Sequence, residues 1–460
     1  MTDFDLIEPS DDSLPVFLVR AADVTGWLAG RPEPVRNWLA DRADGMKPGS
    51  SARLPDASGA PAGVLWVVAD DPDMWAIADL RKALWPGAFH LDAGALDDPD
   101  MTAFATGWAL GGYRFDRYLS TTDRPEIALV WPEAADRDLV RAMAEGICLT
   151  RDLVNTPADH MGPSELEAAA RELAGRFDGA VNVIAGDQLL AENFPMIHAV
   201  GRASDDPPRL IDLTFGPADA PKVTLVGKGV CFDTGGLDIK SAAGMMLMRK
   251  DMGGAATALG LAHLLLARQV PVRLRVLLPT VENAISGNAY RPGDILSTRQ
   301  GISVEIGNTD AEGRLVLGDA LTLASEEAPE LLIDFATLTG AARVAVGTEI
   351  AAFFADDDTL AEAVVKAGAE AMDPVWRLPL HQDYRHLLDT PFADINNAGS
   401  GGFAGASTAA LFLKEFVAEP ANWIHFDIMA WNSRDRAGRP RGGEAMALRA
   451  MYRLITDRFA

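Results

Sequence analysis

Residues 223–251, VTLVGKGVCFDTGGLDIKSAAGMMLMRKD, contain the strongest fold signal in the chain. An apolar run of strand length comes first, and Lys228, Asp233 and Lys240 follow among glycines that permit tight backbone turns. A charged side chain at the end of a buried strand is unfavourable unless it is paired or bound to a ligand. The stretch therefore predicts a buried strand that ends in a functional site. A structural ion pair beside a turn is the alternative interpretation.

A second charged stretch, NTDAEGR, occupies residues 308–314. In an extended backbone Asp310, Glu312 and Arg314 lie on one face, because side chains alternate with a period of two. Two carboxylates so close repel each other unless cations lie between them, and metal ions would supply that charge. Gly313 lets a helix begin here, and a helix N-terminus favours anions. An acidic helix cap is the alternative interpretation.

Four carboxylates and one amine in these two stretches provide enough ligands for two divalent ions that share bridging oxygens. Such ligands suit magnesium, manganese or zinc better than a soft metal. None of the seven histidines lies in either stretch, although the strand candidate that contains His425 ends near the predicted site. The predicted metal ligands are Lys228, Asp233, Asp251, Asp310 and Glu312.

Apolar strands alternate with amphipathic helices on both sides of the first stretch. This alternation predicts an α/β fold, in which a mixed sheet is covered by helices on both faces. The functional site is then expected in loops beyond the carboxyl ends of the strands. The strand candidates are 181–184, 210–215, 223–226, 274–278, 331–336 and 423–428. The helix candidates are 254–268, 313–326, 360–369 and 407–416.

The chain length of 460 residues is too great for one ordinary core, so two domains are expected. The first part contains strand candidates at 64–69 and 127–131, and apolar residues from Met74 to Leu84 follow a helical spacing between them. We predict a small N-terminal α/β domain over 1–135, a linking helix and loop over 136–163, and a larger catalytic domain over 164–460.

The linking helix is predicted from an apolar repeat that begins near Asp136 and ends before Asn155, where Thr156 and Pro157 follow. Ser164 and the glutamate three residues later then form a pattern typical of a helix N-terminus. The larger domain is therefore expected to begin with a helix at Ser164.

The charge balance is strongly acidic, with 66 Asp and Glu, 41 Lys and Arg, and a net charge of -25. A phosphate backbone or an anionic lipid surface needs clustered cations, so neither nucleic acid nor a membrane is an expected partner. The two cysteines, Cys148 and Cys231, are too few for a disulfide framework or a cysteine-based zinc site. No signal peptide and no membrane-spanning run is evident, so a cytoplasmic location is expected.

Five motifs, in order and spacing, resemble those of the leucyl aminopeptidase family of cytosolic metallopeptidases. They are VGKGVCFDTGGLDIK (226–240), KDMGGAA (250–256), RPGDIL (291–296), NTDAEGRL (308–315) and DFATLTGA (334–341). The resemblance begins near Leu149 and covers the rest of the sequence. It implies a metal-dependent aminopeptidase that releases N-terminal amino acids from peptides. The N-terminal part matches more loosely and implies only a separate, variable α/β domain.

The resemblance also assigns the metal ligands to two sites. A tighter ion would be held by Lys228, Asp233, Asp251 and Glu312. A more exchangeable ion would be held by Asp233, Asp310 and Glu312, with the backbone carbonyl of Asp310 as a further ligand. Manganese or zinc are the expected ions, and magnesium and cobalt are further candidates.

Catalytic and substrate-binding roles follow from the same resemblance. Lys240 and Arg314 would form the catalytic pair, with a bicarbonate held by Arg314 as general base. The residues beside the substrate would be Met248, Thr337, Leu338 and Gly340. The chain departs from the family pattern at Ser241 and at Ala430-Trp431, and both departures leave the substrate preference open.

A homohexamer, built as a dimer of trimers, is implied by the family resemblance, with peptides that have a free N-terminus as partners. One alternative is a noncatalytic regulatory or DNA-binding relative on the same scaffold. Such a relative would have lost metal ligands or gained a basic surface. A two-metal phosphatase is a further alternative, but it would be expected to bring histidine ligands.

Overall fold

The computed structural model describes residues 4–121 and 123–460. The chain divides into two compact units. The first contains the chain up to Ala144 together with Arg434–Arg441, and the second contains Glu145–Ser433 and Gly442–Ala460. The predicted fold class is confirmed, since a smaller α/β unit comes first and a larger one follows. Within the described residues, no helix has the length and apolarity needed to cross a membrane.

The first unit contains a six-stranded sheet in the order β1-β6-β5-β2-β4-β3, which is parallel except for the β3–β4 pair. The strands are β1 (Leu6–Ile7), β2 (Leu14–Arg20), β3 (Ser51–Pro55), β4 (Pro61–Val68), β5 (Gly87–Asp92) and β6 (Ile127–Val130). The helices are α1 (Val24–Ala29), α2 (Glu33–Leu39) and α3 (Met101–Gly111), and a 3-10 turn covers Ala21–Asp23. The strands predicted at 64–69 and 127–131 are confirmed as β4 and β6.

The helical spacing from Met74 to Leu84 does not form an α-helix, so that prediction is wrong. Two short 3-10 helices, Met74–Ile77 and Leu80–Ala83, occupy the segment instead. The physical reason is visible in the spacing itself. Met74, Ile77 and Leu80 are three residues apart, which is the repeat of a 3-10 helix, and all three are buried.

The segment Arg434–Arg441 returns to the first unit late in the chain. Gly438 adopts a left-handed backbone (φ 64°), and a Cβ built there would lie 2.8 Å from the Trp75 ring. The Arg439 guanidinium lies 4.1 Å from the centroid of the same ring. The first unit is therefore assembled from two pieces of chain that are far apart in the sequence.

The helix predicted from about Asp136 to before Asn155 is present as α4 (Arg137–Asn155), and the next helix is α5 (Pro163–Arg176). The predicted capping pattern at Ser164 is wrong. Pro163 takes the first helical position, where its missing N–H is harmless. The Gly162 N–H donates to Glu165 Oε2 at 3.0 Å, while the Ser164 hydroxyl donates to Asp206 Oδ1 at 2.6 Å.

The second unit is built on a mixed nine-stranded sheet in the order β16-β15-β18-β14-β9-β11-β8-β7, with β10 beside β11. A three-stranded sheet (β12-β13-β17) and a β19–β20 pair complete it. The strands are β7 (Ala180–Ala185), β8 (Arg209–Phe215), β9 (Lys222–Gly227), β10 (Gly229–Asp233), β11 (Arg273–Asn283), β12 (Ile295–Ser297), β13 (Ser303–Glu305), β14 (Leu331–Ala336), β15 (Ala351–Ala355), β16 (Val375–Arg377), β17 (Ile395–Asn396), β18 (Trp423–Asp427), β19 (Trp431–Asn432) and β20 (Gly442–Gly443).

Helices cover both faces of this sheet, as the sequence predicts. On one face α9 (Gly253–Ala267) packs against β9 and β14, and α14 (Leu448–Phe459) packs on α9. On the other face α7 (Pro195–Gly201), α10 (Gly313–Ser325) and α13 (Gly405–Lys414) share one buried apolar cluster with β9 and β11. The remaining helices are α6 (Gln188–Ala191), α8 (Ala242–Met245), α11 (Gly340–Val346) and α12 (Asp358–Glu370). Short 3-10 turns cover Ala158–His160, Met248–Met252, Gln382–Leu388 and Pro420–Asn422.

Candidate active site

The site lies at the carboxyl ends of adjacent parallel strands in the second unit. The strands β10, β11, β9, β14 and β18 run parallel in that order. Buried polar residues end these strands or directly follow them: Asp233 (β10), Asn283 (β11), Lys228 (β9), Thr337 (β14) and Asp427 (β18). This edge is where ligands bind in sheets of this kind.

Two glycines let helices approach the Lys228 backbone and side chain. A Cβ at Gly254, in α9, would lie 2.0 Å from the Phe335 carbonyl oxygen and 2.9 Å from the Lys228 nitrogen. A Cβ at Gly313, the first residue of α10, would lie 2.8 Å from Lys228 Nζ. Only a residue without a side chain fits at these positions. The glycines of the motifs therefore set how closely α9 and α10 surround the lysine.

Lys228 forms a buried bridge between two carboxylates that come from different motifs. Its Nζ lies 2.7 Å from Asp251 Oδ2 and 2.8 Å from Glu312 Oε1, and it also donates to the Thr337 carbonyl at 3.2 Å. Burial opposes the charge on the lysine, but the acidic neighbours outweigh it and raise the pKa of Lys228. The structure thus brings together three of the predicted metal ligands.

Lys240 forms the second bridge, between Asp233 and Asp310. Its Nζ lies 2.7 Å from Asp233 Oδ2 and also contacts Asp310 Oδ1. Gly235 and Gly236, with φ of 86° and 64°, turn the chain between Asp233 and Lys240 so that both side chains reach the site. The two carboxylates outweigh the effect of burial and raise the pKa of Lys240. The ammonium group therefore carries a proton that it can donate.

Carboxylate oxygens of Asp233, Asp310 and Glu312 lie within 4.8 Å of one another, an arrangement that could hold a metal ion. Burial, reinforced by the charge of Asp233, raises the pKa of Glu312 to about 8 and that of Asp310 to about 6. Crowded, buried acids of this kind are stabilised by a nearby cation, and a divalent ion is the strongest such charge. The donor set therefore fits a hard divalent metal.

A ring of hydrogen bonds behind the acids holds the two motifs in register. Asn283 donates from Nδ2 to Asp233 Oδ1 at 2.8 Å and to the Thr309 carbonyl at 3.1 Å. Tyr290 donates to the same carbonyl at 2.6 Å, and Asp238 Oδ2 accepts from the Thr309 N–H at 2.8 Å. The sequence interpretation missed these residues. A polar residue that ends an apolar strand, as Asn283 does, is the signal that could have indicated one of them.

A cavity of about 360 Å³ opens beside this cluster. All five predicted metal ligands and Lys240 line it. So do the four residues predicted to contact the substrate: Met248, Thr337, Leu338 and Gly340. Lys250, Arg343 and Asp427 also line it, and none of these three is predicted from the sequence.

Arg314 takes a different position from the other predicted site residues. It is 8% exposed, donates to the Asn397 carbonyl at 2.7 Å, and is absent from the residues that line the cavity in the described part of the chain. Burial lowers the pKa of its guanidinium to about 10, which leaves the group charged at neutral pH. Its Nε is buried without a hydrogen-bond partner among the described residues and is therefore free to donate to an anion.

His425 is a core residue, as the sequence interpretation favours. It is completely buried in β18, and its Nδ1 lies 2.6 Å from Asp334 Oδ1. Asp334 also accepts from Trp423 Nε1 at 2.7 Å. The imidazole is thus committed to a buried network and is not among the residues that line the cavity within the described ranges.

Comparison with known proteins identifies the family of the chain. Residues 148–452 match the model of the cytosol aminopeptidase family catalytic domain, and residues 14–132 match the M17 aminopeptidase N-terminal domain. A probable cytosol aminopeptidase of Roseiflexus castenholzii is 42% identical over 389 residues, which is 80% of this chain and 79% of the relative. The crystal structure of the Coxiella burnetii cytosol aminopeptidase superposes on this chain with a TM-score of 0.93 at 46% sequence identity. The match covers 98% of this chain and 99% of the Coxiella chain.

A further solved structure is the bottromycin maturation enzyme BotP in complex with Mn, which has a TM-score of 0.86 at 33% sequence identity. The match covers 98% of this chain and 100% of the BotP chain. The fold and the site define a metal-dependent aminopeptidase, and three of its carboxylates lie close enough together to hold a metal ion. The chain belongs to the cytosol aminopeptidase family.

Proposed function

We propose that the chain removes the N-terminal residue of peptides at a centre of two divalent ions. The observation that carries the proposal is the convergence of buried acids from two motifs around Lys228. We assign the tighter ion to Lys228, Asp233, Asp251 and Glu312. We assign the exchangeable ion to Asp233, Asp310 and Glu312, with the Asp310 carbonyl as a further ligand.

Divalent ions in such a centre supply Lewis acidity and activate water at neutral pH. The residues of the chain donate a proton and position the substrate. Lys240, held by Asp233 and Asp310, keeps a proton and is placed to donate to the oxyanion that develops on the scissile carbonyl. Thr337, Leu338 and Gly340 follow β14 along the cavity wall, where a substrate backbone can lie beside them.

Manganese or zinc is the proposed ion, with magnesium and cobalt as further candidates. The ligands are carboxylate oxygens and one lysine nitrogen, a set that suits hard and borderline divalent ions. A soft copper(I) ion would instead favour sulfur ligands. The BotP structure contains Mn, which agrees with this choice.

Bicarbonate is the proposed general base, and Arg314 is the residue proposed to hold it. The support comes from the chain itself: a charged guanidinium whose buried Nε has no partner among the described residues would gain one from a planar oxyanion. The four carboxylates proposed as metal ligands are not available as bases, because each of them contacts a lysine.

Peptides with a free N-terminus are the proposed substrates, and the cytosol is the proposed location. A cavity of about 360 Å³ has room for one side chain and its backbone. A noncatalytic or DNA-binding role is not favoured, because all five proposed ligands are present and the net charge is -25.

The test is metal removal. Dialysis of the full chain against a strong chelator should abolish hydrolysis of leucine p-nitroanilide, and added manganese, zinc or cobalt should restore it. Glu312→Gln should stay inactive when metal is restored, while Glu362→Gln, an exposed substitution in α12, should behave like the unmodified chain. Full activity after thorough demetallation would overturn the proposed centre.

A further inference from the structure

Two cations line the cavity without a carboxylate partner. Lys250 lies in the 3-10 turn Met248–Met252 and is only 5% exposed. Arg343 lies in α11, and its guanidinium lies 4.0 Å from the Met429 sulfur. Within residues 4–121 and 123–460, neither side chain forms an ion pair with an acidic residue. A buried ammonium group that lacks an anionic partner is unfavourable, so a ligand that supplies an anionic group would stabilise it.

The nearest acids in the cavity are already engaged. Asp251 is held by the Lys228 ammonium and by the Thr337 hydroxyl at 2.7 Å. Asp427 accepts the N–H groups of Leu338 and Thr339, each at 3.0 Å, on one oxygen and the Thr339 hydroxyl on the other. In the described part of the chain, neither acid forms an ion pair with Lys250 or Arg343. In a chain with 66 acidic and 41 basic residues, cations left unpaired in a cavity are an unexpected feature.

The position of the two cations tells which part of a substrate they would contact. Lys250 is two residues from Met248, and Arg343 is three residues from Gly340, and both of those residues are assigned to substrate contacts. The proposed metal ligands and Lys240 line the same cavity, and Asp251 is the residue directly after Lys250. A substrate whose reacting carbonyl lies at the metal ligands therefore has its first side chain in the same cavity as the two cations.

We infer that Lys250 and Arg343 bind the side-chain carboxylate of the N-terminal residue, so that the enzyme selects peptides beginning with glutamate or aspartate. This assignment rests on the proposed aminopeptidase function. A guanidinium can bind a carboxylate through two parallel N–H···O bonds, and an ammonium group adds a third charge-assisted bond. A leucine side chain at the same place would leave both cations without a partner.

The test compares glutamyl and glutaminyl anilides, which have the same shape and differ in charge. An anilide carries no peptide carboxylate, so any preference reports the side chain alone. With manganese present, the full chain should show a kcat/KM for the glutamyl compound at least ~10-fold above that for the glutaminyl compound. Lys250→Met and Arg343→Met should each reduce this ratio by ~10-fold or more, mainly through KM. Lys366→Met removes an exposed charge in α12 and should leave the ratio as it is.

Each outcome either supports or overturns the assignment of Lys250 and Arg343 as carboxylate-binding residues. A ratio near one in the unmodified chain, with leucine anilide still cleaved, overturns the carboxylate assignment and leaves the aminopeptidase function intact. No cleavage of any anilide in the presence of manganese overturns both. If Lys250→Met does not fold, Arg343→Met still tests the assignment, because Arg343 is exposed. A ratio unchanged by Arg343→Met then counts against it.

Discussion

Lys228 and Lys240 each contact two carboxylates, yet the proposed mechanism requires opposite behaviour from them. Lys228, buried between Asp251 and Glu312, is assigned as a metal ligand, which requires a lone pair on its nitrogen. Lys240, between Asp233 and Asp310, is assigned as a proton donor to the oxyanion, which requires the charged form. Arginine distinguishes the two roles, because it donates hydrogen bonds but cannot be deprotonated in a protein.

We therefore expect Lys228→Arg to lose the tighter ion and nearly all activity. Lys240→Arg should keep both ions and lose turnover by ~10²-fold, the scale of one damaged oxyanion donor. The measurement is metal content per subunit by elemental analysis, together with kcat for each purified variant. Two ions per subunit in Lys228→Arg would show that Lys228 is not a ligand.

Asn283 provides a second prediction at this scale. Its amide joins Asp233 to the Thr309 carbonyl, next to Asp310, and so positions two metal ligands without touching the substrate. Asn283→Ala should weaken metal binding by ~10- to 100-fold, the usual effect of losing a group that orients a ligand. Titration of the demetallated variant with manganese measures this. Asn288→Ala, which removes a surface amide bonded to the Arg202 carbonyl, is the matched control, and an equal affinity in both variants would contradict the role of Asn283.

The site was predictable from the sequence where charge appears among glycines and apolar residues. Lys228, Asp233 and Glu312 are recognisable in the sequence because an ionised group beside a buried strand is unfavourable unless it is paired or bound to a ligand. Asn283 and Lys250 are different, because an amide or a lysine is ordinary in any sequence. Only the packing of β11, or the burial of Lys250 in the cavity wall, gives them significance.

Among the elements, the contact of α9 with β9 and β14 leads to a stability prediction. Gly254→Ala would place a methyl group 2.0 Å from a backbone oxygen that cannot move independently of β14. We expect it to lower the free energy of unfolding by more than about 2 kcal/mol. Gly175→Ala, in α5 with nothing within 4 Å, should instead raise that free energy by up to ~1 kcal/mol. Urea titration of both variants measures the difference, and equal stabilities would contradict the close approach.

In the larger unit, the predicted strands β9, β14 and β18 are confirmed, and each of them is an almost completely buried run of mainly apolar residues. The strand β15 is just as apolar and buried, but it is not among the predicted strands. The segment from Met74 to Leu84 shows where this reasoning ends. Its apolar residues fit a helix, but a spacing of three does not distinguish an α-helix from a 3-10 helix. The segment forms two 3-10 helices. At α5 the capping pattern at Ser164 was present in the sequence, but Asp206 takes the serine hydroxyl, a contact between residues far apart in the chain.

At the scale of the whole molecule, the proposed homohexamer is the main prediction. Several large apolar side chains of the larger unit are highly exposed in the single chain, including Phe403 (89%), Val344 (84%) and Phe392 (70%). Exposed apolar surface of this kind is typical of interfaces between subunits. Light scattering at micromolar concentration should give the mass of six copies of the 49.1 kDa chain. A mass of a single chain under those conditions would rule the hexamer out.

The return of Arg434–Arg441 to the first unit restricts how this protein can be rearranged by genetic exchange. A single crossover near Ala144 would transfer most of the first unit to a new partner but leave behind the strip that contacts Trp75 through Gly438 and Arg439. The recipient would then contain Trp75 without the segment that packs on it, and the donor would keep that segment without Trp75. The two units are therefore expected to be inherited together, and a chimaera that exchanges the first unit should fold well only when both pieces of it are exchanged.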